Sequence, residues 1–147
     1  MIETTRRQRR LTQALFAAYG LAVAAITVVP VRWYRSELGR QRWQDTLILV
    51  PGRVPIMDFL LNIVMFVPFG VLVSVLWPAL ARYRRIGLVA LAVSTTIEST
   101  QFVQDLILNS HRTADVNDLI ANTSGALLGL LALRLWVRVD ARERESV

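Results

Sequence analysis

FLLNIVMFVPFGVLVSVLWPALA, residues 59–81, is a run of 23 residues without one charged side chain. Wound as an α-helix it would span ~35 Å, enough to cross a hydrocarbon core of about 30 Å. Working outward, Leu11 to Val31 is a second uncharged run. A third, 86–104, is broken only by Glu98, and a fourth, 119–137, only by Arg134, whose long stem can snorkel to the membrane edge. Any one of these stretches could be the buried helix of a soluble protein. Four of them leave no polar half to cover a soluble core. The expected fold is therefore an all-α membrane protein, a four-transmembrane-helix bundle in a single domain over residues 1–147, with spans at 11–31, 59–81, 86–104 and 119–137.

All 17 basic residues are arginine, and the formal net charge is +6. In a soluble chain that excess would raise nucleic acid as a partner. Here the arginines sort by loop instead. Arg6, Arg7, Arg9 and Arg10 precede the first span, Arg82, Arg84 and Arg85 join the second and third, and Arg134, Arg138, Arg142 and Arg144 close the fourth. The other side has Arg32, Arg35, Arg40, Arg42, Arg53 and Arg112. By the positive-inside rule both termini are cytoplasmic. Trp33, Tyr34, Trp77 and Trp136 fall at the span borders, as interfacial aromatic residues should. The first apolar run exceeds the about 7–15 residues of a signal peptide and lacks a clear cleavage motif, so it reads as an anchor. Absence of cysteine excludes disulfides, thiol catalysis and cysteine-ligated metals.

Polar residues within the spans gather at the end opposite the arginine-rich one. Asp58 and Asn62 share a face at the start of the second span, and Glu98 and Gln101 share one in the outer half of the third. Asp115, Asp118, Asn122, Gly125 and Gly129 form one polar-then-small stripe on the fourth. Gly125 and Gly129 are a small-xxx-small pair, the pattern of a helix-packing face. Pro68 should kink the second helix near Val64 to Pro68. A carboxylate in the bilayer costs a few kcal/mol, so Glu98 should face the bundle interior and be paired, hydrated or protonated. Arg112 stands near Asp105, Asp115 and Asp118, able to neutralise a carboxylate or to take an anionic group of a ligand. The first long loop, 32–58, has an apolar half, 46–57, that should form turns and short extended pieces around Pro51, Gly52 and Pro55.

Three segments in order, Asp58-Phe-Leu-Leu-Asn62-Ile-Val-Met-Phe66-Val-Pro68-Phe-Gly70, Ser94-Thr-Thr-Ile-Glu98-Ser-Thr-Gln101 and Arg112-Thr-Ala-Asp115-Val-Asn-Asp118-Leu-Ile-Ala-Asn122-Thr-Ser-Gly125, resemble the VanZ-like family of bacterial membrane proteins. The resemblance covers roughly Pro51 to Gly129. It implies a small multi-pass protein of the bacterial cytoplasmic membrane. The family's namesake is associated with low-level resistance to the lipoglycopeptide-type antibiotic teicoplanin.

The expected role is that of a non-enzymatic cell-envelope protein. Its outer polar cluster, Asp58, Asn62, Glu98, Gln101, Arg112, Asp115, Asp118 and Asn122, would hold the head of a lipid-linked cell-wall intermediate or a glycopeptide while apolar helix faces hold the tail. Its partners are then the bilayer and that amphiphile, with no nucleic acid and no cofactor. Two alternatives stand beside this expectation. One is a membrane enzyme whose convergent carboxylates hold Mg²⁺ or Ca²⁺ near a lipid phosphate, although no serine–histidine pairing, phosphate loop or zinc spacing supports a named reaction. The other is an ion or proton pathway through Glu98.

Overall fold

A computed structural model describes residues 5–28, 47–52, 55–108 and 113–145. Four helices make up the bundle: α1 Arg6–Val28, α2 Ile56–Leu76, α3 Tyr83–Leu108 and α4 Val116–Glu145. Each is long and apolar enough to cross a membrane. Two short strands, β1 Leu47–Ile48 and β2 Ala114–Asp115, pair in parallel with Leu47 opposite Ala114 and Ile48 opposite Asp115. They lie in the apolar half of the first long loop and at the entry to α4.

Helix ends follow local chemistry rather than the limits of hydropathy. α1 begins at Arg6 instead of Leu11 because Thr5 and Gln8 form a reciprocal capping box: the Thr5 amide donates to Gln8 Oε1 (2.8 Å) and the Gln8 amide to Thr5 Oγ1 (3.3 Å). α2 stops at Leu76 rather than Ala81 because Trp77 precedes Pro78 and is driven out of the helical region, to φ −127 and ψ 79. A 3₁₀ turn, Pro78–Leu80, then carries the chain toward α3, and Arg85 Nη1 donates to the Ala79 carbonyl across it (2.6 Å). α2 passes Pro68 without a break. α4 has 30 residues, ~45 Å of helix, so its Arg-rich last turns extend past the hydrocarbon layer.

The seam between α2 and α4 is the closest contact in the bundle. A methyl group added at Gly125 would collide with the Ile63 carbonyl oxygen, one at Gly129 with that of Val67, and one at Gly70 with that of Ala126. Backbone therefore meets backbone, the approach that small residues permit where lipid supplies no hydrophobic drive for association. Around the seam Phe66, Phe69, Val73, Ile86, Ala90, Ala126 and Leu130 form the core. α1 is added at the side. Phe16 packs edge-on against Trp77 (5.5 Å between ring centroids) and tilted against Phe69 (6.4 Å), and the Tyr19 hydroxyl donates to the Met65 carbonyl (2.8 Å).

The outer surface is apolar on every helix: Leu21, Ile26, Ile56, Val64, Leu88, Ile107 and Trp136 are all exposed. In water such a surface would aggregate, and in a bilayer it is what solvation requires. Three threonine hydroxyls of α3 are satisfied within the helix. Thr95, Thr96 and Thr100 donate to the carbonyls of Leu91, Ala92 and Thr96 at 2.8–2.9 Å.

Candidate ligand site at the polar end of the bundle

The site is assembled around the first turn of α4. Asp115 caps that helix: its Oδ1 accepts from the Asn117 amide (2.8 Å) and from Asn117 Nδ2 (2.6 Å), satisfying a donor that the helix start would otherwise leave unpaired. The Asp115 amide in turn donates to Glu98 Oε2 (2.9 Å). Glu98 is thus buried and paired, as its place in the bilayer demands, with the backbone entering α4 as the partner. Asn117 Oδ1 accepts from the Gly52 amide (2.8 Å), which fixes the turn leaving β1; Gly52 adopts φ +87, a conformation that glycine reaches without a steric cost.

Further bonds tie the other helices to this layer. Asn62 Nδ2 donates to Asp118 Oδ1 (2.6 Å), joining α2 to α4, and Asn122 Nδ2 donates to Ser94 Oγ (2.8 Å), joining α4 to α3. Gln101 Nε2 donates to the Thr27 carbonyl (3.3 Å), joining α3 to the end of α1. These bonds gather Asn62, Glu98, Gln101, Asp115, Asp118 and Asn122 in a layer about two helical turns deep at one end of the bundle. Asp58 lies one turn before Asn62 on α2 but is exposed, and no side-chain bond among the described residues draws it into the layer. Arg112, with His111, lies outside the described residues.

Hydrogen bonding among the described residues leaves the layer rich in acceptors. Glu98 and Asp118 each commit one carboxylate oxygen to a donor, and Asp115 commits Oδ1 alone, so Glu98 Oε1, Asp115 Oδ2 and Asp118 Oδ2 take none. Asp105 is buried, and its Oδ1 has no donor. Asn122 Oδ1 and Thr123 Oγ1 are likewise buried without a partner. Among the described residues no group of three or more His, Asp or Glu side chains is spaced to hold a metal ion.

Ser94, Asn117 and Asp105 were as readable as the others, though sequence patterning alone had not singled them out for the site. Ser94, Glu98, Gln101 and Asp105 follow spacings of 4, 3 and 4, one buried stripe on α3. Asp115-Val-Asn117 is the pattern of an N-cap followed by a second-position amide.

A groove of about 280 Å³ lies between α1, α2 and α3, with Thr27 among its lining residues. Its walls are apolar, with Phe16, Val23, Phe66, Phe69 and Ile97, and its polar end is Thr27, whose carbonyl holds Gln101.

A family model described as VanZ/LLP1 matches residues 4–137. The chain belongs to the VanZ/LLP1 family. The match runs from before α1 to the seventh turn of α4, so it takes in all four helices, including α1, where the motifs quoted above do not reach. Membership and four candidate spans together make the protein a VanZ-like multi-pass membrane protein. No curated protein and no solved structure matched the chain.

Proposed function

We propose that the protein is a non-enzymatic component of the bacterial cell envelope. It lies in the cytoplasmic membrane with both termini cytoplasmic, and it takes an amphiphile from the outer leaflet, a lipid-linked cell-wall intermediate or a lipoglycopeptide. The observation that carries this reading is the nearness of an apolar groove to an acceptor-rich polar layer: Thr27, which lines the groove, accepts from Gln101 of that layer. The groove suits an acyl tail. Carboxylate oxygens of Glu98, Asp115 and Asp118 that accept from no described residue suit a head rich in hydroxyl and ammonium groups, because an ionised carboxylate accepts hydrogen bonds and donates none. This complementarity favours the sugar and amine face of such a head over a phosphate.

Binding of teicoplanin and of its deacylated core to the full chain in nanodiscs tests the reading directly. The acylated form should bind at least about tenfold more tightly, the equivalent of roughly two buried methylene groups. Asp118→Asn should weaken both forms. Equal binding of the two forms defeats the tail-in-groove reading, and no binding of either removes the lipoglycopeptide as the ligand. Orientation is tested separately, since the chain has no cysteine of its own. Glu3→Cys and Glu145→Cys should be shielded from a membrane-impermeant thiol reagent in intact cells, and Arg40→Cys should react. The opposite pattern would put the polar layer at the cytoplasmic face.

A further inference from the structure

The opposite end of the bundle holds a larger cavity, about 530 Å³, between the end of α2, the 3₁₀ turn and the last half of α4. Val75, Pro78, Leu130, Leu133 and Val137 give it apolar walls, and Arg134 and Arg138 stand at its rim. The two arginines are one turn apart on the same face of α4. Arg134 is held in place: its Nη2 donates to the Ala81 carbonyl (2.8 Å) and its guanidinium lies over the Tyr83 ring, 4.5 Å from the centroid. Among the described residues no carboxylate is in ion-pair contact with either arginine, and the one ion pair of this end, Arg144 with Asp140 (3.0 Å), lies farther along α4. Exposed Trp77, Tyr83 and Trp136 mark the same level as the membrane interface.

We propose that this groove binds an anionic phospholipid, with the headgroup phosphate on Arg134 and Arg138 and an acyl chain along Val75, Leu130 and Leu133. Three features select that occupant. Two cations with no carboxylate partner among the described residues call for an anion, and a guanidinium matches phosphate oxygens in a planar fork. Arg134 is already ordered by Ala81 and Tyr83, so binding would not have to immobilise it. Its apolar walls lie on the hydrocarbon side of the arginines, which fits an anion that carries tails. The site is independent of the polar layer at the other end.

Native mass spectrometry of the full chain released from nanodiscs of phosphatidylcholine with phosphatidylglycerol tests the assignment. Phosphatidylglycerol should be retained over phosphatidylcholine, and Arg138→Gln should reduce that preference about five-fold, the effect of one arginine near an anionic headgroup. Arg134→Gln should reduce it at least as much, but it also removes the Ala81 bond, so Arg138→Gln is the deciding variant. Leu133→Trp fills the groove with no change of charge and should also lower retention. Arg84→Gln, an exposed arginine outside the groove, should leave the preference unchanged. Three results would each overturn the proposal: no preference in the unaltered protein, an equal loss in Arg84→Gln, or displacement of the lipid by millimolar glycerol phosphate. The first denies the site, the second makes it a diffuse surface charge, and the third makes it a simple anion site in which the acyl chain has no part.

Discussion

Against α4, helix α2 is packed backbone to backbone through Gly70, Gly125 and Gly129; against α1 it is held off by the rings of Phe16, Phe69 and Trp77, and a groove of about 280 Å³ remains. Burial differs accordingly. In the membrane window of α4, 39% of positions are buried inside the protein, and in that of α1, 6%. In lipid, helices gain little from covering apolar surface, so close association depends on van der Waals contact and on polar bonds between helices. α4 has both, glycines on one side and Asp118, Asn122 and the Asp115 cap on the other. Among the bonds between described residues, α1 has two aromatic contacts, the Tyr19 bond and the Gln101 bond near its end. The space beside α1 is therefore where an acyl chain can lie without breaking the bundle.

The largest effect should come from breaking the tight side. Gly129→Val places a side chain on the Val67 carbonyl and against the Gly70 backbone, neither of which can move unless the helices separate. Loss of about 3 kcal/mol or more is expected, at the upper end of overpacking effects. An unfolding midpoint in detergent equal to that of the unaltered protein would show that the seam is not as close as described.

Next comes the polar clasp of α3 on α4. Glu98→Leu leaves the buried Asp115 amide without an acceptor and should cost about 1–3 kcal/mol. Glu98→Gln keeps an acceptor oxygen and should retain most of the stability. If both variants lose equal stability, the negative charge and not the hydrogen bond is what Glu98 supplies.

On the loose side the effects should be smaller. Phe16→Ala removes the ring contacts to Phe69 and Trp77 and should cost about 1 kcal/mol in the same assay. Gly20 lines the groove, and a Cβ there would meet nothing within 4 Å. Gly20→Leu should accordingly change stability by no more than about 0.5 kcal/mol while filling the groove and lowering teicoplanin binding. A loss of stability comparable to that of Gly129→Val would erase the contrast between the two sides of α2. Undiminished binding with the fold intact would remove the groove from the proposed function.

Hydropathy made the four helices legible because a bilayer demands about 20 apolar residues per crossing and penalises charge within them. Helix ends were less legible, since Thr5 with Gln8, and Pro78 after Trp77, act by hydrogen bonding and backbone sterics that hydropathy ignores. The polar stripe of α4 was readable for the same reason as the helices: carboxylates and amides repeating at helical spacing inside an apolar run must face protein. What each residue does there was not. Glu98 has the sequence signature of a ligand group, yet its Oε2 holds the backbone of Asp115, and Asp58 shares a face with Asn62 but stays exposed.

By itself the sequence determined that this chain crosses a membrane about four times, that the larger share of its arginines and its intramembrane polar groups lie at opposite ends, and that Gly125 and Gly129 form a packing face. Those properties depend on side-chain chemistry and on the 3.6-residue period, both of which are local. Only the tertiary structure decided that α4 packs closest to α2, that the Asp115 cap is held by Glu98 and the Gly52 turn by Asn117, and that grooves remain beside α1 and beneath Arg134. Each of these is a meeting of atoms far apart in the chain. A backbone amide or a void between helices carries no residue code, so neither can be found until the helices are placed.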